Sequence, residues 1–190
     1  MNIQKANWNN SENRINLSFP IAKVDKEKRT VSGFATLDNV DRHGDIVTAE
    51  ASEKAFANFR RNLREMHQPV AVGKVVSFKP ETFYDPVSKA FYNGVYVDAY
   101  ISKGAQDTWE KILDGTLQGF SIGGKILDSD NEVNKATGKS VRFIKDYELV
   151  ELSIVDSPAN ELCNILSISK MNGKLMLKGM AAEVTTENIF

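Results

Sequence analysis

The chain has 190 residues, 42% hydrophobic and 26% charged, enough for one well-buried domain with an appendage and short for two. Its 24 Lys and Arg stand against 25 Asp and Glu, so no net field draws it to nucleic acid or to anionic lipid, and both are disfavoured as partners. The single cysteine, Cys163, forbids an internal disulfide and fits a reducing compartment. With two histidines it is too little for a cysteine-rich zinc site.

No apolar run approaches the roughly 18 residues of a membrane span, and the polar start, Met1 to Arg14, does not read as a signal peptide. The expectation is a soluble protein made and used in a cytoplasm. Residues 1–14 read as a flexible arm with Trp8 as a docking point, and order should begin near Ile15. Ile15 to Phe19 alternates, Ile21 to Val24 can continue it, and Asp25 to Lys28 supplies a charged turn before a second strand, Thr30 to Leu37. Asp38 to Asp45 is acidic and turn-like. It is not a helix-flanked calcium loop, because Val40 and Arg42 stand where alternating oxygen ligands belong, and a turn with solvated carboxylates is expected.

Thr48 can cap a helix from about Ala49 to Met66, with Ala55, Phe56, Phe59, Leu63 and Met66 as its apolar stripe. Pro69 should stop it and leave His67 at a helix-to-strand junction. A strand Val70–Phe78, a loop or hairpin tip from Lys79 to Ser88 and a β-prone strand Phe91–Ile101 follow. A second helix should bury Ala105, Trp109, Ile112 and Leu113 and stop at Gly115. Strands over 117–127 and 141–156 should then flank a polar hairpin excursion, Asp128 to Ser140. Ile165, Leu166 and Ile168 allow one last short element, and residues 171–190 read as a tail, which leaves 15–170 as the main domain. Many strands with two inserted helices and no βαβ alternation predict an α+β fold, mainly β, built as a closed or nearly closed antiparallel barrel flanked by helices.

Within Gly119-Phe120-Ser121-Ile122-Gly123-Gly124, strand parity anchors Phe120 and Ile122 in a core and stands Ser121 between glycines, open to a substrate backbone. The same residues also make an ordinary strand and turn. A serine nucleophile needs a base, and only His43, in a polar turn, and His67, at an ordered junction, are available; spacing leaves both open. For the acid that orients the imidazole, parity favours Glu151, placed with Ser153 opposite a face of Val150, Leu152 and Ile154, over Asp156 and Glu148. Backbone N–H groups at Gly123 and Gly124 are candidate oxyanion donors. No metal or cofactor is called for. Cys163 as a thiol nucleophile is a weaker reading, since a lone cysteine is more often buried and inert.

The serine lies outside any Gly-x-Ser-x-Gly elbow, and the order His, Ser, acid is not the trypsin-like one. The run Val31-Ser32-Gly33-Phe34-Ala35 through Asp41, Gly44-Asp45-Ile46-Val47, Ala55-Phe56, His67-Gln68-Pro69-Val70 with Gly73, Gly119 to Gly124, and Glu151-Leu152-Ser153-Ile154-Val155 with Ser157-Pro158-Ala159-Asn160 resembles the prohead maturation proteases of tailed bacteriophages, relatives in fold of the herpesvirus assemblins. The resemblance covers about residues 30–165. It implies a barrel of herpesvirus-protease type and a serine endopeptidase with His67 as base, Ser121 as nucleophile and Glu151 as third member. It also implies a place inside the prohead in the bacterial host cytoplasm, with scaffold and capsid-protein extensions as substrates. A homodimer stays open, as does the role of residues 171–190, either docking to the scaffold or self-cleavage near Ala181-Ala182-Glu183. The competing class is a catalytically inert β-barrel scaffold or capsid-lining binding protein.

Overall fold

In the computed structural model, residues 28–133, 138, 140–163, 168–171 and 174–177 are described. The expected arm 1–14, the strand expected over 15–24 and the segment Ala181 to Glu183 lie outside them. Among the described residues, nine strands and two helices follow in the order β1 Thr30–Leu37, β2 Asp45–Val47, α1 Ala49–Ala57, β3 Asn62–Glu65, β4 Ala71–Asp85, β5 Ala90–Ile101, α2 Gln106–Leu113, β6 Gly119–Val133, β7 Ser140–Val155, β8 Ile168–Met171 and β9 Lys174–Leu177.

β1 to β7 form one seven-stranded sheet in the order β1-β5-β4-β3-β7-β2, with β6 also on β7, while β8 and β9 pair separately. The class is α+β and mainly β, as expected, but among the described residues the hydrogen-bonded sheet is open: β1 and β6 do not pair with each other. Nor is it wholly antiparallel, since β2 and β3 both run parallel to β7. The β8–β9 hairpin reaches into the segment expected to be tail.

One face of the sheet and both helices enclose the main core, where Phe56, Leu63, Val97, Ile101, Phe120, Leu152 and Ile154 are fully buried. Each such side chain contributes about 1.5–3 kcal/mol relative to exposure. A smaller cluster of Phe34, Leu37 and Cys163 occupies the other side, with Phe83 and Tyr96 edge-on to Phe34. A bulge at Ala35 lets β1 serve both, because it moves Leu37 onto the face of Phe34.

Three local expectations are corrected. The first helix ends at Ala57, not Met66: Asn58 takes the C-cap, Phe59 and Leu63 are buried from the turn and from β3, and Arg61 has φ +64°. The helical spacing of those apolar residues is shared by two elements around a turn. Strand β4 runs on through Pro80 to Asp85, where a loop was expected. Among the described residues no strand pairs with its side away from β5 beyond Lys74, so the missing proline N–H breaks no ladder bond there. Val150 is half exposed and does not share the core face. Gly123 pairs with Glu151 and Gly124 with Leu149, so Val150 bulges out and Leu149 takes its place inside. Thr48 caps α1 as expected by accepting from the Ala51 N–H at 3.2 Å, and β6 runs past the expected end at 127 into the expected excursion, its ladder with β7 reaching Val133 opposite Ser140.

Candidate active site

Strand β7 is the axis of the site. On one side it pairs with β6, setting Ser121 opposite Ser153 and Gly123 opposite Glu151. On the other it pairs with β3, whose last residue, Glu65, lies beside Ile154. The chain then turns sharply. Met66 and His67 take φ +50° and +59°, a left-handed pair that costs on the order of 1–3 kcal/mol per residue and persists only when its surroundings fix it. They do: the N–H of Met66 donates to the Ile154 carbonyl at 2.9 Å, that of His67 to Ser153 Oγ at 3.1 Å, and that of Gln68 to the Glu65 carbonyl at 2.9 Å. His67 is therefore presented from a strand-to-strand turn rather than from the expected helix-to-strand junction.

The turn brings the three residues singled out in the sequence into one line. His67 Nδ1 lies 2.5 Å from Glu151 Oε1, and His67 Nε2 lies 3.0 Å from Ser121 Oγ. A carboxylate only accepts, so Glu151 selects the tautomer with the proton on Nδ1 and leaves the Nε2 lone pair facing the serine hydroxyl. Glu151 is 5% exposed, and a buried carboxylate is costly unless its oxygens are paired. Here both are, because Ser153 Oγ donates to Oε2 at 2.5 Å. Gly123 makes room for this arrangement: a Cβ there would stand 2.0 Å from Glu151 Oε1. Gly124 answers a different crowding, with its hypothetical Cβ 2.4 Å from the Glu148 carbonyl oxygen.

The other candidates fall outside the line. Asp156 is exposed in the turn after β7, with its carbonyl bonded to Gln118 Nε2 at 3.0 Å. Glu148 is exposed on the outer side of β7. His43 is exposed on the loop before β2, its N–H donating to Asp41 Oδ1 at 2.8 Å. Cys163 is buried, which pushes its thiol well above the usual range and away from thiolate. A cavity of about 340 Å³ opens beside Ser121 between the two ends of the sheet. Ala35 and Leu37 of β1 line it, with Phe120 and Ile122 of β6, Ile144 and Tyr147 of β7, and Asn39, Asp41 and His43 at its polar end.

Sequence reasoning missed two supports. Glu65 holds α2 against the base of the His67 turn, accepting from Thr108 Oγ1 at 2.5 Å and from Lys111 Nζ at 2.6 Å. Burial alone would raise its carboxyl, but the Lys111 and Thr108 hydrogen bonds and the Lys111 charge hold it below the ordinary value. Segment 160–163 is the other. Cys163 O accepts from the Phe120 N–H at 2.9 Å, and Asn160 Nδ2 donates to the Leu37 carbonyl at 3.1 Å, so it spans the gap between β6 and β1. Asn160 was visible in the turn after β7, but nothing in its spacing announced that reach.

Residues 18–128, more than half of the chain, match the family described as "Putative phage serine protease XkdF", and residues 94–178 match the family described as "Caudovirus prohead serine protease". The two matches overlap across the strand that carries Ser121. The chain is 28% identical over 171 residues to the prohead protease of Escherichia phage T5, covering 84% of this chain and 74% of that protein. It is 30% identical over 110 residues to the uncharacterized protein YqbD of Bacillus subtilis (strain 168), covering 55% of this chain and 34% of that one. With a serine, a histidine and a carboxylate in line at the edge of a cavity, and these matches spanning most of its length, the chain belongs to the phage prohead serine proteases.

Proposed function

We propose that Ser121 is the nucleophile, His67 its general base and Glu151 the group that orients and charge-stabilises the imidazole, and that the reaction is hydrolysis of peptide bonds in scaffold and capsid-protein extensions inside the prohead, in the bacterial cytoplasm. The observation that carries the reading is the unbroken line Glu151 Oε1, His67 Nδ1, His67 Nε2, Ser121 Oγ, at 2.5 and 3.0 Å. Nε2 takes the hydroxyl proton as Oγ attacks the scissile carbonyl, and the imidazolium that results is stabilised by a carboxylate already in place. The same nitrogen then protonates the leaving amine, and water repeats the sequence on the acyl-enzyme. The cavity between β1 and β6 receives the substrate chain. Gly124 lines it and Gly123 does not, so of the two glycines the oxyanion proposal passes to the N–H of Gly124.

The test is processing of capsid and scaffold protein by purified enzyme. Ser121→Ala should abolish it while leaving the folded state intact, and Glu151→Gln should lower kcat by about 10⁴-fold. Processing by Ser121→Ala at the normal rate would overturn the assignment. A fluorophosphonate should label Ser121 in the wild type, whereas an inert binding protein with an unactivated serine should stay unlabelled. We extend the proposal to residues 171–190 as a self-cleavage substrate near Ala181-Ala182-Glu183: the active protein should have a lower intact mass than Ser121→Ala, and equal full-length masses would count against it.

A further inference from the structure

We infer that Ser153 is a positioning residue that locks base and acid into one unit, an inference that rests on the proposed roles of His67 and Glu151. Its hydroxyl is fully buried and makes two bonds at once: it accepts the backbone N–H of His67 at 3.1 Å and donates to Glu151 Oε2 at 2.5 Å. The donated bond fixes the carboxylate oxygen that does not face the imidazole, so the plane of Glu151 is set before His67 reaches it. The accepted bond holds the residue at φ +59° whose ring must point at Ser121. One hydroxyl therefore constrains both ends of the Glu151–His67 pair, and the constraint comes from the strand that also pairs with the nucleophile, since Ser153 is the ladder partner of Ser121.

A hydroxyl is the group that suits this position. An aliphatic side chain at this fully buried position would leave a carboxylate oxygen and an N–H without partners. Ser153 touches neither substrate nor the reacting oxygen, so its loss should change how well the reacting atoms are aligned rather than how tightly substrate binds. Misplacement of a catalytic group by an ångström costs on the order of 10²-fold in rate.

The experiment uses the full chain with Ser153→Ala, Ser153→Cys and Ser153→Thr, alongside wild type and Ser121→Ala. Cysteine fills the serine's space but donates poorly, and threonine keeps the hydroxyl. The expected result is a fall of about 100-fold in kcat and in the rate of fluorophosphonate labelling for both Ala and Cys, with KM unchanged, cooperative unfolding retained and most of the rate recovered in Thr. Wild-type kcat in Ser153→Cys, or a loss confined to KM, would overturn the inference, because packing alone would then explain the position. Should the wild type itself not be labelled at Ser121, it is the proposed nucleophile that fails; labelling of the wild type and of Ser153→Cys at equal rates would sink the positioning role alone.

Discussion

At the scale of single residues, the two glycines after Ser121 separate what is needed for chemistry from what is needed for folding. A methyl group at Gly123 would meet the end of a flexible side chain, Glu151 Oε1, at 2.0 Å. Gly123→Ala should therefore fold, push the carboxylate off His67 Nδ1 and lower kcat by about 100-fold. Since alanine keeps the backbone N–H, that loss cannot be assigned to an oxyanion donor. A methyl group at Gly124 would meet backbone, the Glu148 carbonyl, at 2.4 Å, and that cannot move without opening the β6–β7 ladder. Gly124→Ala should lower the thermal midpoint, and a scan of both variants checks the contrast; an unchanged kcat in Gly123→Ala would count against Glu151 as the orienting group. The sequence exposed the Ser121 strand because a hydroxyl between glycines is a local pattern. It could not show why Gly123 is glycine, because the clash partner lies across a bulge whose register is set by the whole β6–β7 hairpin.

At the scale of elements, the site depends on how short pieces are stopped and tied. Helix α1 starts where Thr48 predicts and stops eight residues after Ala49, because the chain must leave helical geometry in time for β3 to run beside β7. Thr48→Ala removes the acceptor of the Ala51 N–H and should cost about 1 kcal/mol in denaturant unfolding. The periodic apolar residues Phe59 and Leu63 hid the stop, since burial in a turn and burial on a helix face leave the same spacing in the sequence. The tie from Glu65 to α2 has a sign in pH. Its carboxyl is held below the ordinary carboxylate range by the Lys111 and Thr108 hydrogen bonds, so the fold favours the ionised form. That contribution is complete above the unfolded value and fades as pH falls through the lower folded one. Lys111 is partly exposed, so solvent screening keeps the effect small. Glu65→Gln should accordingly lower stability at neutral pH and converge on wild type in acid, measured by urea unfolding at each pH. A difference that persists unchanged in acid would mean that the carboxyl acts by packing.

At the scale of the molecule, the topology is what no stretch of sequence revealed. His67 is 54 residues from Ser121 and 84 from Glu151, and they meet because β7 takes an antiparallel neighbour on one side and parallel ones on the other, an arrangement that strand alternation does not encode. The open ends of the sheet bear on the proposed function as well. Among the described residues β1 and β6 face each other across the cavity, bridged by segment 160–163 and not by a ladder. Amides whose ladder packs on a core exchange slowly, and those on ladders exposed to solvent exchange fast. Residues Ser129–Val133 are largely exposed, whereas Phe120, Leu152 and Ile154 are fully buried. Hydrogen exchange should therefore be fast along the outer half of the β6–β7 hairpin and slow around Ser121, so that Ser121 stands on the rigid end. A peptidyl phosphonate bound to Ser121 should add protection at Ile122–Gly124 and, because the cavity has two walls, also at Ala35–Leu37, while leaving Ser129–Val133 unchanged. Protection confined to the outer hairpin would place the substrate chain elsewhere than between the two sheet ends.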